Sequence, residues 1–253
     1  MRLQNFVPGC GGAVKGKSHM KLNHAPFDGL HAAIVDLDGT MIDTLGDFAV
    51  ALNAVLADLS LPRIERAFIE RTVGKGSEHL IRSVLAQVGA DTGLYEAAWQ
   101  AYQRHYLAIN GQYASVYPGV VQGLRLLQAR GLKLACLTNK PTAFARPLLQ
   151  GMGLSEFFDV VFGGDAFERK KPDPLPTRKT CEALGCSPGR ALVIGDSSND
   201  ARAARAAGCP VVLVTYGYNH GEPVRGIDAD GFADSLEELA LRLFRSRGPA
   251  AHP

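Results

Sequence analysis

HAAIVDLDGTMIDT, residues 31–44, opens on the apolar run Ala32 to Val35 and closes on two carboxylates set one residue apart, Asp36 and Asp38, followed by Gly39 and Thr40. A short aliphatic run bounded by turn formers predicts a buried strand. Carboxylates at the end of such a strand are costly unless something compensates them. Residues i and i+2 of a strand face the same way, so Asp36 and Asp38 are expected to address one small volume.

Four further runs resemble the first: LKLACLT (Leu132 to Thr138), DVVFGG (Asp159 to Gly164), ALVIGD (Ala191 to Asp196) and PVVLVTYG (Pro210 to Gly217). Continuous apolar runs of this length fit parallel strands covered on both faces. Helical patterns separate them, over Val120 to Ala129, Pro141 to Gln150, residues 174–184 and 198–207, and Ser235 to Phe244, where Ser235 and Glu238 form a capping-box pattern. The alternation predicts an α/β fold: a Rossmann-like parallel sheet with helices on both faces. Between Thr44 and Ala114 the strand signal lapses. Phe48, Leu52, Val55, Leu56 and Leu59 share a helical face, as do Leu80, Ile81, Val84, Leu85 and Val88, and a third helix is expected over Leu94 to Ala108. Residues 46–113 are therefore read as a small all-helical cap inserted after the first strand. The core takes residues 25–45 and 114–246. Residues 1–24 and 247–253 are read as a disordered extension and tail.

The net charge is +2, no extended basic block marks a surface for nucleic acid, and no apolar run is long enough to span a membrane. Five irregularly spaced cysteines without a CxxC pair suit reduced thiols in a cytoplasmic protein, with Cys136 and Cys209 as core residues. The partner expected is a small phosphorylated metabolite, the chain being a monomer or homodimer.

In open α/β sheets ligands bind beyond the carboxyl ends of the strands. There the sequence places Asp36 and Asp38, then Thr138, Asn139 and Lys140, then Lys170 and Lys171, then Asp196 and Asp200. Four converging carboxylates against Lys171 call for a hard divalent cation, and Mg²⁺ binds through carboxylates, waters and phosphate. Thr138 and Asn139 precede a helix N-terminus, which suits an anion, and Lys171 adds a point charge. One carboxylate can attack phosphorus while a second moves the proton. Asp200 also suits a helix N-terminus. His79, His105 and His220 are read as structural or surface groups, Trp99, Tyr102 and Tyr106 as cap packing, Lys170 as surface, and Asp43 and Asp47 as serving the hinge and the cap-helix start.

DLDGTMIDT, LTNK, KKPDP and GDSSND, in this order, resemble the four motifs of the haloacid dehalogenase superfamily, over nearly all of residues 31–246. The resemblance implies Asp36 as nucleophile and Asp38 as general acid/base. It implies Thr138 and Lys171 on the phosphoryl group, and Mg²⁺ held by Asp36, the Asp38 backbone carbonyl and Asp196, with Asp200 in support. The superfamily's dehalogenases lack the second aspartate of the first motif, so Asp38 implies phosphoryl chemistry. RTVGKGSEHLI, VFGGDAFERKKPDPLP and VTYGYNHGEP further resemble the bacterial phosphoglycolate phosphatases of that superfamily. That likeness implies 2-phosphoglycolate as substrate, with Gly74, Lys75 and Gly76 of the cap binding its carboxylate. Another small phosphate ester, or a phosphosugar mutase reaction, remains the alternative.

Overall fold

A computed structural model describes Phe27 and residues 29–244. The expected N-terminal extension and C-terminal tail lie outside the described residues. The core is a six-stranded, wholly parallel sheet. Its strands are β1 (Ala32–Val35), β4 (Lys133–Leu137), β5 (Val160–Phe162), β6 (Ala191–Gly195), β7 (Val211–Val214) and β8 (Gly231–Ala233), in the order β5-β4-β1-β6-β7-β8. β1 lies at the centre, Val35 pairing with Cys136 on one side and Ile194 on the other. Asp36 therefore emerges between two neighbouring strand ends.

Alternate residues of each strand serve opposite faces. Ala33, Val35, Leu134 and Cys136 pack with α5 (Val120–Ala129), α6 (Thr142–Gly151) and α9 (Leu236–Leu243). Ala32, Ile34, Ala135 and Leu137 pack with α7 (Leu175–Leu184) and α8 (Ser198–Ala207), and Cys209 is buried on this side. Both faces are covered, which is why the strands read as unbroken apolar runs.

The cap comprises α1 (Leu45–Asp58), α2 (Arg66–Thr72), α3 (Ser77–Gln87) and α4 (Tyr95–Ile109). It has its own apolar cluster, to which the core contributes Phe144 and Tyr218. Its entry and exit are joined by a two-stranded antiparallel ribbon, β2 (Ile42–Asp43) with β3 (Ser115–Val116). Asp47, fully buried, accepts backbone hydrogen bonds from Gly111 (2.7 Å) and Tyr113 (2.8 Å), fastening the first cap helix to the chain that leaves the cap.

Four elements were not among the sequence expectations. α2 has only Ile69 and Thr72 buried, too few for a periodic stripe. The ribbon strands are two residues each, below any readable alternation. β8, Gly-Phe-Ala, carries a glycine that weakens its strand signal and is held by register with β7.

Candidate active site

The turn after β1 is built on one carbonyl: Leu37 O accepts from the N–H groups of Thr40, Met41 and Ile42. The fold-back needs Gly39 at φ +81°, where a Cβ would overlap the Asp196 carboxylate. Asp36 itself continues the ladder, donating its N–H to Ile194 O at 2.9 Å. Lys171, on the loop after β5, has its buried ammonium on three oxygens: Leu137 O (2.8 Å), Asp36 Oδ1 (2.9 Å) and Asp200 Oδ1 (2.7 Å). The other Asp200 oxygen accepts from the hydroxyl and N–H of Ser197 at the start of α8. Asp200 thus caps its helix and faces Lys171 at once. Asp196 ends β6 and accepts from Thr40 Oγ1 (3.2 Å) and from the N–H of Tyr218 (2.6 Å).

Asp36, Asp196 and Asp200 offer carboxylate oxygens within 4.8 Å of one another. Burial pushes the Asp36 carboxyl up to about 7, against the pull of Lys171 and helped by the Asp200 charge. Burial, then the Asp200 and Asp36 charges, also raises Asp196 well above the carboxylate range. Burial opposes the Lys171 ammonium, but Asp200 and Asp36 override it and hold the lysine above its ordinary value. Three carboxylates against one ammonium leave two negative charges in excess. Asp36 Oδ1 is buried and receives no aligned hydrogen bond, its contact with Lys171 being ionic only. An all-oxygen donor set with this charge deficit fits a hard divalent cation of the Mg²⁺ class. An exposed acidic cluster would carry no such implication, but Asp196 and Asp200 are almost wholly buried.

The Asp38 carboxylate stands apart from this triad. Its Oδ1 accepts from Thr44 Oγ1 (2.7 Å) and from Lys140 Nζ (2.9 Å). The Asp38 side chain is thus outside the cluster of Asp36, Asp196 and Asp200, where the sequence reading had expected it as a metal ligand. Lys140 had no role in the sequence reading. Its side chain is 2% exposed, it also donates to Tyr106 Oη (2.6 Å), and it lies over the rings of Phe48 and Tyr106. Lys140 belongs to the LTNK motif, but its partner is 102 positions away and nothing local announces the pairing.

Thr138 is buried at the end of β4, its hydroxyl accepting from the N–H of Lys140 (3.2 Å) and retaining its own proton to donate. Asn139 lines the same pocket as Thr138, and its side chain is also tied to the backbone around it. Its amide accepts from Lys171 N (3.0 Å) and donates to Lys171 O (2.8 Å) and to Gly74 O (3.0 Å). With these bonds made, its side chain acts as a clamp that fixes the Lys171 backbone and the cap loop.

A pocket lies between Asp36, Asp38, Thr138, Asn139 and Lys140 of the core and Phe48, Val73, Gly74, Gly76, Ser77 and Leu80 of the cap. Lys75 does not line it. That side chain is exposed, beside Glu78, His79 and Lys170 on an outer surface, so the expected role in carboxylate binding is not supported by its position. The carbonyl of Gly74 also accepts from Asn199 Nδ2 (3.2 Å), which approaches the half-buried His220 ring. Tyr218 was likewise missed: its N–H holds Asp196, while its hydroxyl accepts from the N–H groups of Thr44 and Leu45 at the base of the cap. Tyr102 and Tyr106 pack in the cap cluster as expected of them, Trp99 at its edge.

Among the described residues no helix is long and apolar enough to cross a membrane. The sequence pattern of the haloacid dehalogenase-like hydrolases matches residues 33–214. The chain is 41% identical over 220 residues to a phosphoglycolate phosphatase of Thiobacillus denitrificans, covering 86% of this chain and 97% of that one. It is 42% identical over 223 residues to a plasmid phosphoglycolate phosphatase of Cupriavidus necator, covering 87% and 96%. A crystal structure of a predicted phosphoglycolate phosphatase from Haemophilus somnus superposes with a TM-score of 0.79 at 30% identity, over 83% of this chain and 96% of that one.

Proposed function

Because this chain belongs to the haloacid dehalogenase-like hydrolases, we propose that it hydrolyses 2-phosphoglycolate to glycolate and phosphate through an aspartyl-phosphate on Asp36. The observation that carries the reading is the division of labour between the two carboxylates of the first motif. Asp36 belongs to the buried triad beside Lys171. Asp38 lines the same pocket, with one oxygen held by Thr44 and Lys140 and, among the described residues, no hydrogen bond on the other.

In the first half-reaction Asp36 attacks phosphorus, and the bond to the glycolate oxygen breaks as Asp38 gives that oxygen a proton. In the second, Asp38 takes a proton from water as the water attacks the phosphoryl group on Asp36, releasing phosphate and restoring both carboxyl groups. Lys171 favours the ionised form of Asp36 against the effect of burial and carries positive charge to the phosphoryl oxygens, and the Thr138 hydroxyl donates to them. Asp36, Asp196 and the Asp38 backbone carbonyl, with Asp200 in support, would hold Mg²⁺, which would supply further positive charge to the phosphoryl group. The carboxylate end of the ester lies toward Gly74, Gly76 and Ser77 of the cap. In this reading the protein works in the cytoplasm as a monomer or homodimer, with a small phosphorylated metabolite as its partner.

The test is phosphate release from a panel of small phosphomonoesters, with and without Mg²⁺, with Asp36→Asn as the blank. Mg²⁺-dependent preference for 2-phosphoglycolate, absent from the variant, is expected. Preference for another ester overturns the substrate, and sugar-phosphate isomerisation without phosphate release replaces hydrolysis by a mutase reaction. Substantial turnover by Asp36→Asn removes Asp36 as nucleophile.

A further inference from the structure

Lys140 is a buried ammonium beside the site that the steps above leave unused. An ammonium out of water must be compensated, and its partners come from two parts of the molecule. Asp38 belongs to the core. Phe48 on α1 and Tyr106 on α4 belong to the cap, supplying two ring faces (centroids at 4.5 and 4.6 Å) and a hydroxyl acceptor at 2.6 Å. Among the described residues the two hydrogen bonds to the Asp38 carboxylate fall on Oδ1, one from Lys140 and one from Thr44. A carboxylate gripped on one oxygen by two donors has its torsion set, and its second oxygen is left for the reacting group.

We propose that Lys140 is a positioning residue for the proton transfer at Asp38, and that it makes this positioning depend on cap helices α1 and α4 lying over the end of β4. The proposal rests on the reading of Asp38 as general acid/base. Without the ammonium, Asp38 keeps only the Thr44 hydroxyl, and its free oxygen is no longer confined to the line of transfer. Misplacement of a catalytic group by about 1 Å can cost on the order of 100-fold in rate. Tyr106 acts one step further out, holding the ammonium from the cap side. The loss at Asp38 falls on whichever substrates require a proton on the leaving oxygen.

The experiment compares kcat/KM, which reports steps up to the first irreversible one, for 2-phosphoglycolate and for p-nitrophenyl phosphate, whose phenolate leaves without a proton. Lys140→Met keeps an unbranched chain against the two rings and removes the charge. It is expected to lower kcat/KM for 2-phosphoglycolate by about 100-fold, the lower end of what positioned proton transfer contributes, and that for p-nitrophenyl phosphate far less. Tyr106→Phe keeps the ring, removes the acceptor, and is expected to show the same split at smaller size; it stands in if Lys140→Met does not fold. Equal losses on both esters in a folded variant, or no loss on either, overturn the proposal. If the wild-type protein turns over other alkyl phosphates but not 2-phosphoglycolate, the substrate reading fails alone, and the comparison is made with the alkyl ester it does hydrolyse. If it hydrolyses no phosphomonoester, both readings fall.

Discussion

Replacing Lys171 by methionine removes a charge and almost no volume, so its effect isolates electrostatics. The Lys171 side chain is 4% exposed and its ammonium touches Asp36 at 2.9 Å and Asp200 at 2.7 Å. Breaking a buried pair by deleting one partner costs about 3–5 kcal/mol, because the other charge stays buried without compensation. Here two carboxylates are left so, and the upper part of that range is expected. For a chain of this size each kcal/mol shifts the melting temperature by about 2–4 °C, which places the loss at about 10 °C or more in EDTA. The raised proton affinity of Lys171 means its contribution is present throughout neutral pH and is lost only as pH rises through its elevated folded value. The deficit of the variant should therefore shrink toward pH 5, where Asp36 takes a proton, and widen toward pH 8. Mg²⁺ should raise the melting temperature more in Lys171→Met than in the wild type, since three carboxylates then lack any internal cation. Thermal unfolding at pH 5 and 8, with EDTA and with Mg²⁺, reads all of this. A melting temperature in EDTA at pH 8 within about 2 °C of the wild type would show that the buried carboxylates reorganise without cost, and the charge balance drawn here would be wrong.

Gly39→Ala should combine a left-handed backbone penalty of about 1–2 kcal/mol with overlap against the Asp196 carboxylate. Chemical denaturation should show a loss of about 2–4 kcal/mol with a weakened Mg²⁺ response; wild-type stability with wild-type Mg²⁺ binding would contradict the close approach. Proton competition gives a further expectation. Asp36 has its folded value raised to about 7, so its contribution to metal-free stability is full below the ordinary carboxylate range and lost as pH rises through 7. Mg²⁺ binds the deprotonated group, so the Mg²⁺ concentration giving half-maximal stabilisation should be lower at pH 8 than at pH 6, and identical midpoints would count against carboxylate ligation.

What was legible in the sequence is what strand ends carry. Asp36, Thr138 and Asp196 each follow an aliphatic run, and a parallel sheet can only bring such positions to one edge. Lys171 and Asp200 follow from the same rule with a short extension. Lys140, Asn199 and Tyr218 were not legible, because their partners lie in other elements and no periodicity links them. Asp47 shows the intermediate case. A helix-start acid is readable locally, but that its acceptors tie the two ends of the cap together depends on Gly111 and Tyr113 arriving 64 and 66 residues later.

The central place of β1 constrains how the chain can assemble as it is synthesised. β1 emerges first among the core strands, yet both its sheet partners, β4 and β6, come later, the nearer after roughly 100 residues. Closing a flexible loop of that length costs about 4 kcal/mol in chain entropy before any strand pairs. The cap changes the sum. It occupies most of the intervening chain, buries an apolar cluster of its own, and has its two ends clasped by the β2–β3 ribbon and the Asp47 carboxylate. Once collapsed, it turns a long tether into a short one, and β4 meets β1 across the two short stretches 36–41 and 117–132. The module that roofs the pocket in the finished protein is thus also the splint that lets an amino-terminal strand become the middle of a parallel sheet.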